Sequence, residues 1–415
     1  MALDKGVKGT KWFSLIDKIY SERTLRLAWE QVEANAGACG VDNMTVAKFK
    51  IDSLNRLLAV NEHLKEDRYQ PKPVKRVWIA KAGSTQLRPL GIPTVTDRVV
   101  QTAARMVLEP IFEREFAPHS YGFRPGRGCH DALRRVEHLL QEGHTHVVDI
   151  DIKGYFDNIP QEKLLKLVSE KIADGRVMKL LESFLKSGVL EEDGVKETNA
   201  GTPQGGVISP LLANIYLNPL DWLMANSGYD MVRYADDMVV MCRDAETATK
   251  ALAEVSTWMA QAGLVLHPEK TKIVDMTPVK SHFDFLGYRF YRNSKGAISQ
   301  FVRPKSQQKL RARLKPLTRR CNGKSIQELL TIINPILRGW YGYFKRASLN
   351  TLIETDGWVR ERLRGILRHR EKKKGRPGWN DHKKWPNRYF HNLGLFSLER
   401  ASYHEPINLQ SGVNC

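Results

Sequence analysis

The stretch RYADDMVVMC, Arg233 to Cys242, constrains this chain more than any other. Met238 to Cys242 is an apolar run that has to be buried, and two adjacent carboxylates, Asp236 and Asp237, stand at its mouth. Packing does not favour them there, because a desolvated carboxylate is costly unless something cationic meets it. The pattern predicts a strand pair, MVRYAD and DMVVMC, wrapped around the two aspartates. A cation has to meet them.

Divalent metal suits that role, since Mg²⁺ prefers carboxylate and phosphate oxygens. A third carboxylate from a neighbouring strand would complete a two-metal clamp for in-line phosphoryl transfer. THVVDIDIKGYFDNIP, Thr145 to Pro160, reads as a strand leading into a turn and supplies candidates. Its Asp149 and Asp151 point to one face of the strand, and Asp157 falls in the following turn. Spacing alone does not choose among them.

Charge adds a partner class. The formal net charge is +19, and between Arg303 and Lys384 there are 23 Lys and Arg against 6 Asp and Glu, a surplus of 17. A basic surplus so concentrated points to a polyphosphate partner, because each neutralised phosphate releases counterions. The five cysteines (Cys39, Cys129, Cys242, Cys321, Cys415) include no Cys-x-x-Cys pair, which argues against a disulfide framework and against zinc. There is no run of apolar residues long enough to span a bilayer and no signal-peptide core at the N-terminus, so the expectation is a cytosolic protein without membrane contact.

Along the chain, Trp12, Leu15, Ile16, Ile19, Leu25, Ala28, Trp29 and Val32 have helical spacing, and Leu54 to Leu64 looks helical again. YQPKPVKRVWIAKAGSTQLRPLGIP, Tyr69 to Pro93, predicts a β-hairpin turning at Gly83-Ser84. Helices are expected at Asp97 to Phe112 and Cys129 to Glu142, and strands in GLVLHPEKTKIV and FDFLGYRFY. From Ser306 the pattern is helical (Leu310, Leu314, Leu329, Ile332, Ile333, Ile336), and EKKKGRPG, Glu371 to Gly378, looks like a linker. Helices alternating with mainly antiparallel strands, then a basic helical tail, predict an α+β fold followed by an all-α module. Two further stretches stand out. GTPQGGVISPLLANIYLNPLD, Gly201 to Asp221, is either a glycine-rich loop letting backbone approach a nucleotide or template base, or an ordinary loop before a core helix. KAGSTQLRPL carries Lys81 and Arg88 on the two arms of the hairpin, where they could grip a triphosphate or simply be solvated.

Taken together, KAGSTQLRPLGIPTVTDRVVQ, SYGFRPGRGCHDAL, VVDIDIKGYFDNIP, GTPQGGVISPLLANIYL, RYADD, HPEKTKI, FDFLGYRF and RGWYGYFKRA resemble a reverse transcriptase, specifically the group II intron-encoded family that combines polymerase with RNA maturase. They occur in the family's order and cover roughly residues 10 to 400. The resemblance implies a right-hand polymerase fold: an N-terminal helical extension at 1–65, fingers and palm at 66–295, a thumb or maturase domain at 296–375, and a short tail at 376–415 that could be a reduced DNA-binding segment.

By the same resemblance, Asp151, Asp236 and Asp237 match the catalytic aspartates, which excludes Asp149 by position, and Asp151, Ile152, Asp236 and Asp237 match the metal set. Two Mg²⁺ ions are implied, with Mn²⁺ able to substitute. Lys81 and Arg88 match triphosphate contacts, Phe156 the aromatic that crowds a sugar 2′ hydroxyl, Gln204 the nucleotide-pocket glutamine, and Lys270 the later palm lysine. Phe285, Leu286, Gly287 and Tyr288 resemble the primer grip. Arg124 and Arg127 are implied near the template path. Arg311, Arg313, Arg338, Lys345, Arg346 and Arg364 are implied as RNA contacts, while the rings Trp340, Tyr341 and Phe344 either stack on RNA or form thumb core.

The implied function is RNA-directed DNA polymerisation together with maturase binding of group II intron RNA, supporting splicing and mobility by target-primed reverse transcription. The implied partners are intron RNA, an RNA template with DNA primer, target DNA and dNTPs. Oligomeric state is left open, and the expected location is the cytoplasm, at the nucleoid when acting on DNA. Many family members continue into an H-N-H endonuclease with paired cysteines. This chain stops at Cys415 without them, so no DNA cleavage of its own is expected. Rival readings are a purely RNA-binding maturase, a polymerase with a host duty such as phage defence or repair, and an RNA-dependent RNA polymerase, which Phe156 opposes.

Overall fold

The computed structural model describes residues 7–8, 11–80, 87–198, 200–202 and 205–404. Lys81, Gln204 and the expected turn at Gly83-Ser84 lie outside them. The chain divides into two compact units, Met1–Asp275 and Met276–Cys415.

In the first unit the apolar run behaves as its composition requires. Strand Asp237–Cys242 is buried at every position after Asp237, and it sits inside a four-stranded sheet. The strand order is Lys272–Asp275, His146–Ile150, Asp237–Cys242, Asp230–Tyr234, with every neighbouring pair antiparallel. Helix Ala245–Ala262 packs on this sheet, started by the Asp244 side chain accepting from the Thr247 amide and stopped by Gly263 at φ +74°. Helix Ser209–Asn226 is apolar nearly all round and is correspondingly buried.

The expected hairpin forms from Val74–Ala80 and Leu87–Ile92, and Val74–Ala80 also pairs in parallel with Val189–Glu191. The N-terminal periodicity yields helices Ile16–Tyr20 and Glu22–Asn35, broken at Ser21, whose side chain caps the second. Leu15, Ile19, Leu25, Ala28 and Trp29 join one continuous core with Val99, Leu108 and the palm residues Val148 and Val240. The helices between residues 16 and 65 therefore share their core with the palm.

The second unit opens with the three-stranded antiparallel sheet His282–Phe285, Tyr288–Arg292 and Ile298–Val302. Helices Pro304–Leu317, Ile326–Phe344 and Leu349–Arg370 follow. By contact, FLGY groups with the helices after it: Tyr288 donates its hydroxyl to the Tyr343 carbonyl (2.6 Å) and is fully buried. The residues beyond EKKKGRPG return to the thumb core, with Trp385, Phe390 and Leu395 packing among Leu329, Ile333 and Leu363. No helix among the described residues is long and apolar enough to cross a membrane.

Candidate active site and nucleic-acid contacts

The two acidic stretches meet at one end of the palm sheet. Ile150 pairs with Met238, so Asp151, one residue past the strand, lies beside the turn that carries Asp236. Tyr234 pairs with Asp237 across a two-residue turn, Ala235-Asp236, and Ala235 sits at φ +59° although it is not glycine. Such a backbone is strained unless its surroundings impose it, and this kind of strain gathers at functional sites.

The surroundings that impose it are specific. Asn214, Asn218 and Asp221 are spaced i, i+4, i+7 on helix Ser209–Asn226 and so share one face. Arg233, fully buried, donates Nε to Asp221 Oδ1 (2.7 Å) and Nη1 to both Asn214 Oδ1 and the Ala235 carbonyl (2.9 Å each). Burial works against the guanidinium's charge, and Asp221 outweighs it, holding Arg233 above its ordinary range. From the other side SYGF bridges to Arg233, the Tyr121 amide donating to the Arg233 carbonyl at 2.8 Å. A Cβ on Gly122 would lie 2.2 Å from the Ala235 nitrogen, so only glycine permits that approach. The aspartate turn is thus held on both sides. Sequence reading missed Arg233, Asp221, Asn214 and Gly122, although three polar residues at helical spacing in an apolar helix were a signal.

Asp236 is half-buried, and its carboxyl is pushed up, first by burial and also by the charge of Asp151, with its own backbone hydrogen bond and Arg88 opposing. The two carboxylates therefore feel each other, and Arg88 feels the site. Asp151 accepts a cation on both oxygens, the Lys270 ammonium at 3.2 Å from each. Its backbone is fixed by His267, whose amide donates to the Asp151 carbonyl at 2.7 Å. Ile152 is buried and bridges to Leu266. Asp237 is exposed at the start of its strand. Among the described residues no three acidic, His or Cys side chains gather closely enough to hold an ion as they stand. The donor chemistry nonetheless fits a hard divalent cation: carboxylate oxygens, mutually repelling, one already engaged by a positive charge.

Phe156 lies on the short helix Tyr155–Asn158, edge-on to Phe123 at 6.5 Å. The glycine-rich loop closes over it: the Thr202 amide donates to the Phe156 carbonyl at 2.7 Å, and a Cβ on Gly201, at φ +82°, would come within 2.7 Å of the same oxygen. Gln101 accepts from the Val207 amide at 2.7 Å and ties down the loop's far end. In the second unit, Leu286 and Gly287 form the two-residue turn of FLGY at φ +47° and +79°, between paired Phe285 and Tyr288.

The expected RNA-facing cations divide. Arg124 and Arg364 require correction. Arg124 has a side chain 2% exposed, and it is spent on the Glu113 carboxylate and on the Ala117 and Ser120 carbonyls (2.7 and 2.8 Å). Arg364, also buried, donates to the Trp385 carbonyl, Glu361 and Asn387 at 2.8–2.9 Å. Both are internal struts, because a guanidinium with its donors committed inside has none for phosphate. Arg313, Arg338 and Lys345 are exposed, and Arg127, Arg311 and Arg346 half-buried. Arg311 lies over Trp358 (5.6 Å) and Arg338 over Phe396 (5.4 Å). Of the rings, Tyr341 and Phe344 are buried in the thumb, with Trp340 packed partly buried beside them.

Paired acids on an antiparallel palm, a fingers hairpin and a helical module after them define a polymerase of the right-hand class. Known proteins narrow the class. The profile described as "Reverse transcriptase (RNA-dependent DNA polymerase)" matches residues 79–290, about half the chain, and that of the "Group II intron, maturase-specific domain" matches residues 307–385. The group II intron-encoded protein LtrA of Lactococcus lactis subsp. cremoris is 43% identical over 197 residues, 47% of this chain and 32% of LtrA. Protein YkfC of Escherichia coli (strain K12) is 35% identical over 292 residues, 61% of this chain and 76% of YkfC. A 91 kDa protein in the cob intron of Schizosaccharomyces pombe is 32% identical over 310 residues, 60% of this chain and 38% of that protein. The chain therefore belongs to the reverse transcriptase family and carries a group II intron maturase-specific domain. It spans about a third of the length of LtrA.

Proposed function

We propose that this protein is an RNA-directed DNA polymerase that also binds group II intron RNA as a maturase, promoting splicing and target-primed mobility. One observation carries the polymerase reading. Asp151 and Asp236, distant in sequence, lie just beyond the ends of neighbouring strands and are close enough for one carboxylate's charge to raise the other's pKa. Two such groups invite a cation.

In this reading Asp151, Asp236 and Asp237 hold two Mg²⁺ ions, with Ile152 beside them. Bound metal would supply activation of a primer 3′ hydroxyl and charge neutralisation at the departing pyrophosphate. The chain's own groups do the rest. The Arg233 brace keeps the acidic turn in place before substrate arrives, which is where preorganisation acts. Arg88, with Lys81, offsets triphosphate charge. Lys270 pairs with both Asp151 oxygens and orients them. Phe156, backed by Phe123 and the Gly201 loop, crowds a ribose 2′ hydroxyl and favours dNTPs, and Gln204 matches the family's nucleotide-pocket glutamine in sequence. Residues 66–295 serve as fingers and palm with the primer grip at their end, 296–375 as thumb, and 376–415 as a small appended segment. Action on intron RNA, an RNA template with DNA primer, and target DNA implies a cytoplasmic, nucleoid-associated protein.

The test is primer extension on an RNA template with dNTPs or rNTPs and with or without Mg²⁺. Asp236→Ala should extend no primer while binding RNA nearly as well as wild type. Normal extension by that variant would refute the assignment.

A further inference from the structure

A cleft of about 410 Å³ opens between helix Leu349–Arg370 and the segment after it, with Arg360, Arg388, His391, Glu399, Arg400 and Tyr403 among its walls. That volume lies in the range of about 300–1,000 Å³ that takes small ligands or a ligand's head group. Three arginines face a single glutamate, so the lining carries a positive surplus.

The surplus is not consumed internally. Arg360 has a side chain 13% exposed, its Nε is buried without a hydrogen-bond partner, and it reaches Asp356 at 3.9 Å, the outer limit of an ion pair. Asp356 is occupied elsewhere, accepting from the Ser397 hydroxyl (2.7 Å) and from the Leu398 and Glu399 amides (3.0 and 3.2 Å). Burial pushes the Arg360 guanidinium down, and Arg364 adds to this, with Asp356, Glu399 and Glu361 opposing. Arg400 touches His391 Nε2, which brings no negative charge to cancel the arginine's. Arg388 is exposed, and Tyr403 shows 63% of its surface. A half-buried guanidinium with an unpartnered Nε, beside two more cations and an open aromatic ring, is a poor arrangement for stability. It is a good one for an anion attached to a flat ring.

We propose that this cleft binds a phosphate of an unpaired nucleic-acid strand, with the half-buried Arg360 as the inner contact, Arg388 and Arg400 as the outer ones, and Tyr403 stacking on the neighbouring base. The site deepens the nucleic-acid reading above and rests on it. Apart from Arg360, its cationic walls lie in the 376–415 tail, which the family resemblance offered as a possible reduced DNA-binding segment without naming a site in it.

The test uses the full chain and two fluorescein-labelled single strands of one sequence, RNA and DNA, with anisotropy followed across a salt series. Each lost phosphate contact should lower the slope of log affinity against log salt by about 0.7. Arg360→Gln, Arg388→Gln and Arg400→Gln combined should lower it by about 2, which is about a hundredfold weaker binding at about 0.1 M salt. Loss on both strands assigns the cleft to the shared backbone, and loss on one assigns it to that strand type. A triple variant that melts like wild type and binds both strands with unchanged slope overturns the proposal. Should the triple variant not fold, Arg388→Gln alone, at an exposed position, carries the test, with a slope change of about 0.7 expected and no change overturning it. Primer extension run in parallel separates the two readings. An active wild type with an unaffected triple variant removes only the cleft, whereas a wild type that neither binds nor extends removes both.

Discussion

Arg233→Met removes the brace behind the aspartate turn, and the structure sets the size of the effect. Asp221 is left with a side chain 2% exposed and no cationic partner, and Asn214 Oδ1 and the Ala235 carbonyl each lose their donor. Removing one partner of a buried ion pair costs about 3–5 kcal/mol, and each stranded acceptor adds on the order of 1 kcal/mol. At about 2–4 °C per kcal/mol for a unit of this size, melting should fall by on the order of 10–20 °C. Stability alone does not separate a strut from a positioning residue, so the informative variant is Arg233→Met with Asp221→Leu. Replacing both partners removes the orphaned carboxyl and should recover most of the lost stability. It does not restore the hydrogen bond to the Ala235 carbonyl, and Ala235 at φ +59° then has less to hold it. A misplacement of about 1 Å at a reacting group can cost about a hundredfold. The double variant should therefore melt near wild type, bind primer–template with unchanged Kd, and show a kcat for primer extension lower by about 10- to 100-fold. Wild-type extension by that variant would reduce Arg233 to a fold-stabilising residue, and a single variant that melts like wild type would refute the energetic argument.

Gly201→Ala places a Cβ within 2.7 Å of the Phe156 carbonyl on a backbone at φ +82°. It should raise the KM for dNTPs several-fold and narrow the preference over rNTPs, as competing primer extensions would measure. Arg313→Gln with Arg338→Gln, both at exposed positions, should lower the salt slope of RNA binding by about 1.4 without altering melting. Arg364→Gln should instead lower melting, because its donors hold Trp385, Glu361 and Asn387. Asp97 is buried beneath Tyr69 and Thr94, and burial raises its carboxyl above the ordinary value. A raised folded-state pKa means stability present at pH below about 4 and lost as pH rises through the folded value. Asp97→Asn should therefore gain on wild type in denaturant titrations as pH rises from about 4 towards neutrality.

The elements of the palm were legible because local pattern and tertiary demand agree there. Five apolar residues after two aspartates can be satisfied by little except a buried strand behind a tight turn, and Tyr234 pairs with Asp237 as that requires. Spacing could not choose between Asp149 and Asp151, since both belong to one strand face; the strand ends at Ile150, and the first residue beyond it is the one beside the turn. The cationic residues were the least legible. Arg124 and Arg313 carry the same charge in sequence, yet Arg124 is locked on Glu113 and two carbonyls and Arg313 is exposed. Nothing local separates them, because the partner that buries an arginine comes from elsewhere in the fold. The same holds for Arg233, which reads as one more cation before the acidic box until Asp221 and Asn214 arrive on a different helix. A basic composition thus identifies the class of partner, while the contacts that deny some arginines to solvent decide which of them can meet it. Charge counts over the thumb consequently overstate its phosphate-binding capacity by at least Arg364, and the salt slope of RNA binding should fall short of what 23 cations would suggest.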